Sequence, residues 1–174
     1  MDCVFEYQAA GIFGTLRFMC NERGLCKLAL KGQKHWDSMQ NGCRSVQCGD
    51  NFGVLPAAAE TKEWLDCYFS GGVPGFIPTL ALEGSEFRMT VWKMLLEILY
   101  GHTVTYNDIA KRIAVMRGVK KMAAQAVGGA VGNNPVSLIV PCHRVVGSNG
   151  TLVGYGGGLH YKMKLLELEG VIAD

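Results

Sequence analysis

The stretch TYNDIAKRIAVMRGVKKMAAQAVGGAVGNNP, Thr105 to Pro135, decides how the second half of the chain folds. Thr105 and Asp108 have the spacing of a capping box, in which a hydroxyl and a carboxylate satisfy the first backbone amides of a helix. That helix is expected to run to about Ala114, and Arg117-Gly118 reads as a turn. A second helix, from about Lys121 to Val131, is built chiefly of alanine, glycine and valine, and Pro135 stops the pattern. Two helices joined by a turn predict a helix-turn-helix. Gly128-Gly129 inside the second helix is costly, about 1 kcal/mol each against alanine, so a close approach should compensate. A neighbouring helix and a nucleic-acid backbone both fit that requirement.

Upstream, Ser85 can cap a helix whose stripe is Phe87, Val91, Leu95 and Ile98, with Gly101 as its stop. Thr15–Cys20 and Leu25–Leu30 alternate in the strand manner about the turn residues Asn21-Glu22-Arg23-Gly24, which predicts a hairpin. Residues 31–52 read as loops around one further strand. Residues 57–69 read as a helix burying Trp64, Leu65 and Tyr68, ended by Gly71-Gly72-Val73-Pro74-Gly75. An extended segment from Phe76 to Leu82 then leads to a domain boundary near Gly84. The expected fold class is α+β: residues 1–84 form a small sheet with a helix, and residues 85–174 form a mainly helical domain. Downstream of Pro135, an apolar segment leads to Cys142, and Tyr161, Leu165 and Leu168 mark a final helix ending at Gly170.

The 174 residues, 49% of them hydrophobic, suffice for one good core or two small ones, which excludes disordered and fibrous classes. No run approaches the roughly 20 apolar residues of a membrane span, and the start lacks a basic region followed by an apolar one, so a soluble, intracellular protein is expected. Seven cysteines without a regular CxxC pair suit free thiols in a reducing compartment. Cys3, Cys20 and Cys26, with only the distant His35, are not spaced as a structural zinc motif, and no metal is expected. Residues 1–84 carry 7 basic and 9 acidic side chains, whereas residues 85–174 carry 10 and 6. No carboxylate side chain occurs from Ile109 through Leu166, while Lys111, Arg112, Arg117, Lys120, Lys121, Arg144, Lys162 and Lys164 all fall there. Such a field would attract phosphates.

Within this basic stretch, Pro141-Cys142-His143-Arg144-Val145 places a thiol beside an imidazole. A thiolate is the reactive form of cysteine, and a nearby histidine or positive field populates it near neutral pH. In an extended segment the two side chains would point to opposite faces, so His143 would reach the sulfur through a bridging water unless the backbone bends.

Tyr106, the 124–135 run, Pro141–Val145, Gly154-Tyr155-Gly156-Gly157-Gly158 and Leu165–Gly170 together resemble the O6-alkylguanine-DNA alkyltransferases, also known as methylated-DNA-protein-cysteine methyltransferases. The likeness runs almost continuously from Phe87 to Gly170 and more loosely through Trp64–Gly71 and Pro78–Gly84. The resemblance implies a ribonuclease H-like supporting domain and a carboxy-terminal domain that binds duplex DNA and moves an alkyl group irreversibly from O6-alkylguanine to Cys142. On that reading His143 takes the thiol proton through water and Glu169 holds the imidazole. Asn134 ties the recognition helix to the active-site segment, while Tyr106 turns the base out and helps protonate it. The backbones of Cys142, Val145 and Gly156 would meet the extruded base. Gln125 stands where the family commonly has arginine to fill the vacated stack. Tyr106, Asn107, Gly128, Lys120, Lys121 and Arg88 complete the expected DNA-contacting set.

The segment between Tyr106 and Gln125 is longer than in many members, and phosphate binding could have moved to its lysines. No cofactor is implied, since a tyrosine hydroxyl can protonate the leaving guanine. The expected species is a monomer, and O4-alkylthymine stays open as a second lesion. Two other readings compete. One is a DNA-binding module without chemistry, whose relatives replace the cysteine, commonly with tryptophan. The other is a Cys-His hydrolase, for which no nucleophile elbow is present.

Overall fold

Side-chain alternation builds the first sheet: Leu16, Phe18 and Cys20 point one way along Thr15–Asn21 (β2), and Arg17 and Met19 point the other. β2 pairs antiparallel with Cys3–Gln8 (β1) and with Gly24–Leu30 (β3), while Val46–Gly49 (β4) lies parallel to β1, giving the order β3-β2-β1-β4. The fold is thus a mixed α+β arrangement, seen in a computed structural model that describes residues 1–41, 46–49 and 51–173. On one face, Lys34–Asn41 (α1) buries Trp36 and Met39 against Val4, Met19 and Ala29, with the Arg17 guanidinium over the Trp36 ring. On the other, Phe5, Phe18 and Phe52 stack at 5.1–5.9 Å, and Pro56–Phe69 (α2) packs on β2 and β3 with Trp64, Leu65 and Tyr68 buried.

The exposed edge of β3 is covered rather than left to pair with a stranger. Leu25 exchanges backbone hydrogen bonds with Thr79 and Ala81, and Leu28 does so with Pro135 and Ser137. The first contact requires glycine next door: a β-carbon on Gly24, at φ 139°, would lie 2.5 Å from the Thr79 carbonyl oxygen. The chain accordingly divides into two units, Met1–Glu83 with Pro135–Ile139, and Gly84–Asn134 with Val140–Asp174.

In the second unit Glu86–Leu96 (α3) starts at a Ser85 cap and buries Val91, Trp92, Met94 and Leu95; the Trp92 indole donates to the Ala130 carbonyl at 3.0 Å. Val104–Thr105 (β5) pairs in parallel with Val145–Val146 (β6). Tyr106–Arg117 (α4) begins with both hydrogen bonds of the Thr105–Asp108 capping box and buries Ile109, Ala110, Ile113 and Ala114. Ala124–Gly132 (α5) turns Val127, Ala130 and Val131 inward, and Leu159–Leu168 (α6) does the same with Lys162, Leu165 and Leu166.

Several sequence expectations change. Residues 34–41 form α1, not a loop, because Trp36 and Met39 lie three apart and cover the sheet; residues 42–45 and 50, expected as loop, lie outside the described residues. The strand β1 had no counterpart in the sequence reading. Residues 76–82 run as expected without helix and bridge to Leu25 at Leu80. α3 ends at Leu96, so Ile98 is buried beyond the helix, and Gly101 (φ 75°) serves the turn that follows. α4 continues to Arg117, where Gly118 supplies a left-handed cap at φ 65°, and α5 starts only at Ala124.

Replacing Thr105 with alanine removes one of two reciprocal caps. A loss of about 1 kcal/mol, read from the shift of the denaturation midpoint, is expected.

Candidate active site

Cys142 is not delivered by a strand. Leu138 sits at φ 68°, and the Ile139 amide donates to the Ser137 carbonyl at 2.9 Å, closing a three-residue γ-turn around a side chain with a β-carbon. Such a conformation is strained and persists only when its surroundings hold it; Leu138 is fully buried. A second tight turn follows at Pro141 (φ −81°, ψ 66°), where the Cys142 amide donates to Val140 at 2.8 Å. Cys142–Arg144 is then a single 3-10 turn rather than the extended segment expected from the sequence. This bend lets three consecutive side chains go to three different places.

The His143 imidazole is fully buried, and its Nε2 lies 2.6 Å from Glu169 Oε1. Glu169, at the C-terminal cap of α6, also accepts from Arg144 Nε (2.8 Å) and Nη2 (3.0 Å) and from the Gly101 amide (3.2 Å). Arg144 donates a further bond to the Ile98 carbonyl at 2.7 Å. A buried carboxylate with this many donors is stable as an anion. Burial pushes its pKa up, but the hydrogen bonds from His143 and Arg144 and the charge of the Arg144 guanidinium prevail and bring it down to about 2. Burial lowers the pKa of His143 against the raising influence of Glu169, so the imidazole is neutral near pH 7 and able to accept a proton.

Asn134 is buried, and its Nδ2 donates to the Val140 carbonyl at 2.7 Å. Burial pushes the Cys142 thiol up, while a hydrogen bond with Asn134 and the charge of Lys162 pull it down. Tyr106, the first residue of α4, is half-buried; its hydroxyl donates at 3.5 Å to the carbonyls of Val153 and Gly154, and burial and the nearby sulfur raise its pKa. A β-carbon added at Gly128 would stand 3.9 Å from its ring, so that glycine is in contact with Tyr106, whereas one added at Gly129 would meet nothing. Beside them opens a cleft of about 610 Å³, lined among others by Tyr106, Asn107, Gly128, Ser148, Tyr155 and Gly156.

The remaining expected residues fall into two groups. Val145 is buried in β6 with both backbone groups engaged, its amide with Cys142 and its carbonyl with Lys162. Gln125, Arg88, Lys120 and Lys121 are exposed, the first on α5, the second on α3 and the lysines in the 118–123 connection. The expected basic field is smaller than the sequence suggested. Arg144 and Lys162 are buried, Arg112 pairs with Glu97 and Lys164 with Glu167, and Arg117 lies 3.9 Å from Glu86 and over the Phe87 ring. Carboxylates outside the 109–166 window therefore reach into it. Among the described residues no group of three or more His, Cys, Asp or Glu side chains could hold a metal ion.

Arg144 and Lys162 are site residues that the sequence reading took for surface charge. The available signal was helical spacing: Lys162, Leu165, Leu166 and Glu169 stand at i, i+3, i+4 and i+7, one face of α6.

The sequence model described as "6-O-methylguanine DNA methyltransferase, DNA binding domain" matches residues 86–171. A methylated-DNA–protein-cysteine methyltransferase of Mycobacterium leprae is 49% identical over 120 residues, 67% of this chain and 70% of that protein. One from Methanosarcina barkeri is 43% identical over 139 residues, covering 80% and 85%. The crystal structure of Mycobacterium tuberculosis OGT in complex with DNA aligns with a TM-score of 0.75 and 36% identity across 96% of this chain and 92% of that one. The chain belongs to the methylated-DNA–protein-cysteine methyltransferase family.

Glu169→Gln leaves the Arg144 charge without its counterion and should lower stability by about 3 kcal/mol or more. Because the folded pKa is depressed, the stability Glu169 contributes is complete above 4.5 and is lost as pH falls towards about 2. Urea titrations across that window should show a steep acid limb in the parent and a flatter one in Glu169→Gln.

Proposed function

We propose that this protein repairs O6-alkylguanine in double-stranded DNA by moving the alkyl group irreversibly to Cys142, one group per molecule, after the damaged nucleotide has been turned out of the helix. The observation that carries this reading is the buried Glu169–His143 pair, adjoining in the chain the buried Cys142, whose sulfur acts on the Tyr106 that lines the cleft. Since Nε2 of His143 is engaged with Glu169, the thiol proton passes through a water to Nδ1, and Glu169 supports the imidazolium that results. The sulfur then attacks the alkyl carbon. A carbon–sulfur bond forms, the carbon–oxygen bond breaks, and its electron pair stays with the guanine. Tyr106 donates its hydroxyl proton to the base as that charge develops and regains one from the imidazolium or solvent. The thioether left on Cys142 has no leaving group for water to displace, so the cycle ends there.

An alkylated oxygen inside stacked DNA is out of reach, and extruding its nucleotide costs a few kcal/mol, less for a weakly paired lesion. We assign α4, the 118–123 connection and α5 as a helix-turn-helix, with α5 against the minor groove, where Gly129 lets a backbone approach and Gln125 fills the vacated stack. Asn107, Gly128 and Arg88 lie at that surface in this reading. Gln125 fills and hydrogen-bonds without adding charge, so phosphate attraction falls to the exposed Lys120 and Lys121. In the pocket, the Gly156 backbone and the Val145 amide, which would exchange its turn bond, meet the base. The first unit, on a ribonuclease H-like plan, serves as support. The protein would act as a monomer inside the cell, where its DNA substrate is, and O4-alkylthymine would compete for the same cleft.

Mass spectrometry after incubation with a duplex containing O6-methylguanine should find one methyl group per chain, on Cys142 and on no other cysteine. An untouched Cys142 in folded, reduced protein would refute the reading, and release of the methyl group with turnover would favour a hydrolase. Replacing Lys120 and Lys121 together with alanine should weaken DNA binding and reduce its salt slope by about 2. Titrations at several salt concentrations check this, and an unchanged slope removes both lysines from the interface.

A further inference from the structure

Lys162 is a buried ammonium without an ordinary partner. Its side chain is fully buried on α6, and among the described residues no carboxylate forms an ion pair with it. Its Nζ donates to two backbone carbonyls, Val145 at 2.5 Å and Val153 at 2.8 Å. Those carbonyls belong to different parts of the site. Val145 directly follows the turn that carries Cys142, and Val153 begins the wall whose carbonyls also accept the Tyr106 hydroxyl. The Tyr106 ring centre lies 6.0 Å from the ammonium.

Carbonyl oxygens satisfy donors but bring no negative charge, and an uncompensated buried ammonium is costly. The titratable groups acting with it are Tyr106 from α4 and Cys142 and His143 from the 3-10 turn. Of these, the Cys142 sulfur is the one whose charge favours the ammonium, and the attraction is mutual. Burial lowers the Lys162 pKa to about 8 even against the raising influence of the Cys142 sulfur.

We propose that Lys162 is a positioning residue for alkyl transfer: one ammonium, anchored on the carbonyls of Val145 and Val153, supplies the charge against which Cys142 ionises and pins the wall on which Tyr106 rests. The proposal rests on the alkyl-transfer reading for its biological meaning, but its physical content concerns Cys142 and can be measured without DNA. His143 removes the proton, and Lys162 stabilises the sulfur that remains.

The test is the pH dependence of Cys142 alkylation by iodoacetamide, followed at that cysteine by peptide mass spectrometry in the parent, Lys162→Met and Lys162→Arg. Lys162→Met should move the midpoint up by about one pH unit and slow alkylation near pH 7 about tenfold. Lys162→Arg, which keeps the charge, should stay near the parent. A Lys162→Met protein that folds with the parent's midpoint overturns the proposal, because a lysine that only braces the wall would change stability and not thiol acidity. Should Lys162→Met not fold, NMR titration of Lys162 in the parent and in Cys142→Ala decides. The ammonium should lose its proton at lower pH once the sulfur is absent, and equal midpoints overturn the proposal. Methyl transfer from an O6-methylguanine duplex, assayed in the same parent protein, separates the two failures: its absence removes the repair reading, whereas the iodoacetamide and NMR results bear on Lys162 alone.

Discussion

The Glu169 carboxylate is the constraint on which the rest of the site depends. It accepts from His143, twice from Arg144 and from the Gly101 amide, and each donor comes with a backbone segment attached. The 3-10 turn of Cys142–Arg144 is held through two successive side chains. The end of α6 is held because Glu169 is its cap, and the turn after α3 is held through Gly101. A neutral amide in the same place could not accept from all of these donors, and the Arg144 guanidinium would stay buried without an anion. The same carboxylate also fixes which imidazole nitrogen faces it. Orientation and charge therefore follow from one group.

The second unit's basic surplus has to be divided before it means anything for nucleic acid. Arg144 and Lys162 work internally, and Arg112, Arg117 and Lys164 face carboxylates that lie outside the apparent acid-free window. Lys111, Lys120 and Lys121 are exposed and form no ion pair among the described residues, and the two adjacent lysines sit in the connection ahead of α5. In our reading of the function, attraction to phosphates is thus carried by a short exposed segment rather than by a broad basic face.

Elements whose local chemistry is self-sufficient were legible in the sequence. The capping box at Thr105–Asp108, the Ser85 cap and the β2–β3 hairpin need no distant partner to be recognised, and each is present. Features that arise through long-range contact were not. β1 has no turn of its own to announce it, and the edge of β3 is covered by residues some fifty and more than a hundred positions away. The bend at Cys142 was hidden for a similar reason: an apolar run reads as a strand, and nothing local marks Leu138 for a positive φ. Burial likewise separates Lys162 from the exposed lysines, although all are identical as letters. The pairing of His143 with Glu169 was expected only through family likeness, because their separation of 26 residues carries no local signal.

Strain and burial around the nucleophile act in the same direction. Leu138 holds a conformation that a residue with a β-carbon adopts only under compulsion, and the tight turn at Pro141 follows before Cys142. Burial keeps the thiol pKa up. Thiols of that kind are poor targets for small electrophiles in water, since the thiolate is the nucleophile. Asn134 and Lys162 act the other way and favour the anion; in our reading of the function, His143 takes the proton. On that same reading, in which the sulfur is used only once, burial withholds the thiol from solvent between encounters with substrate.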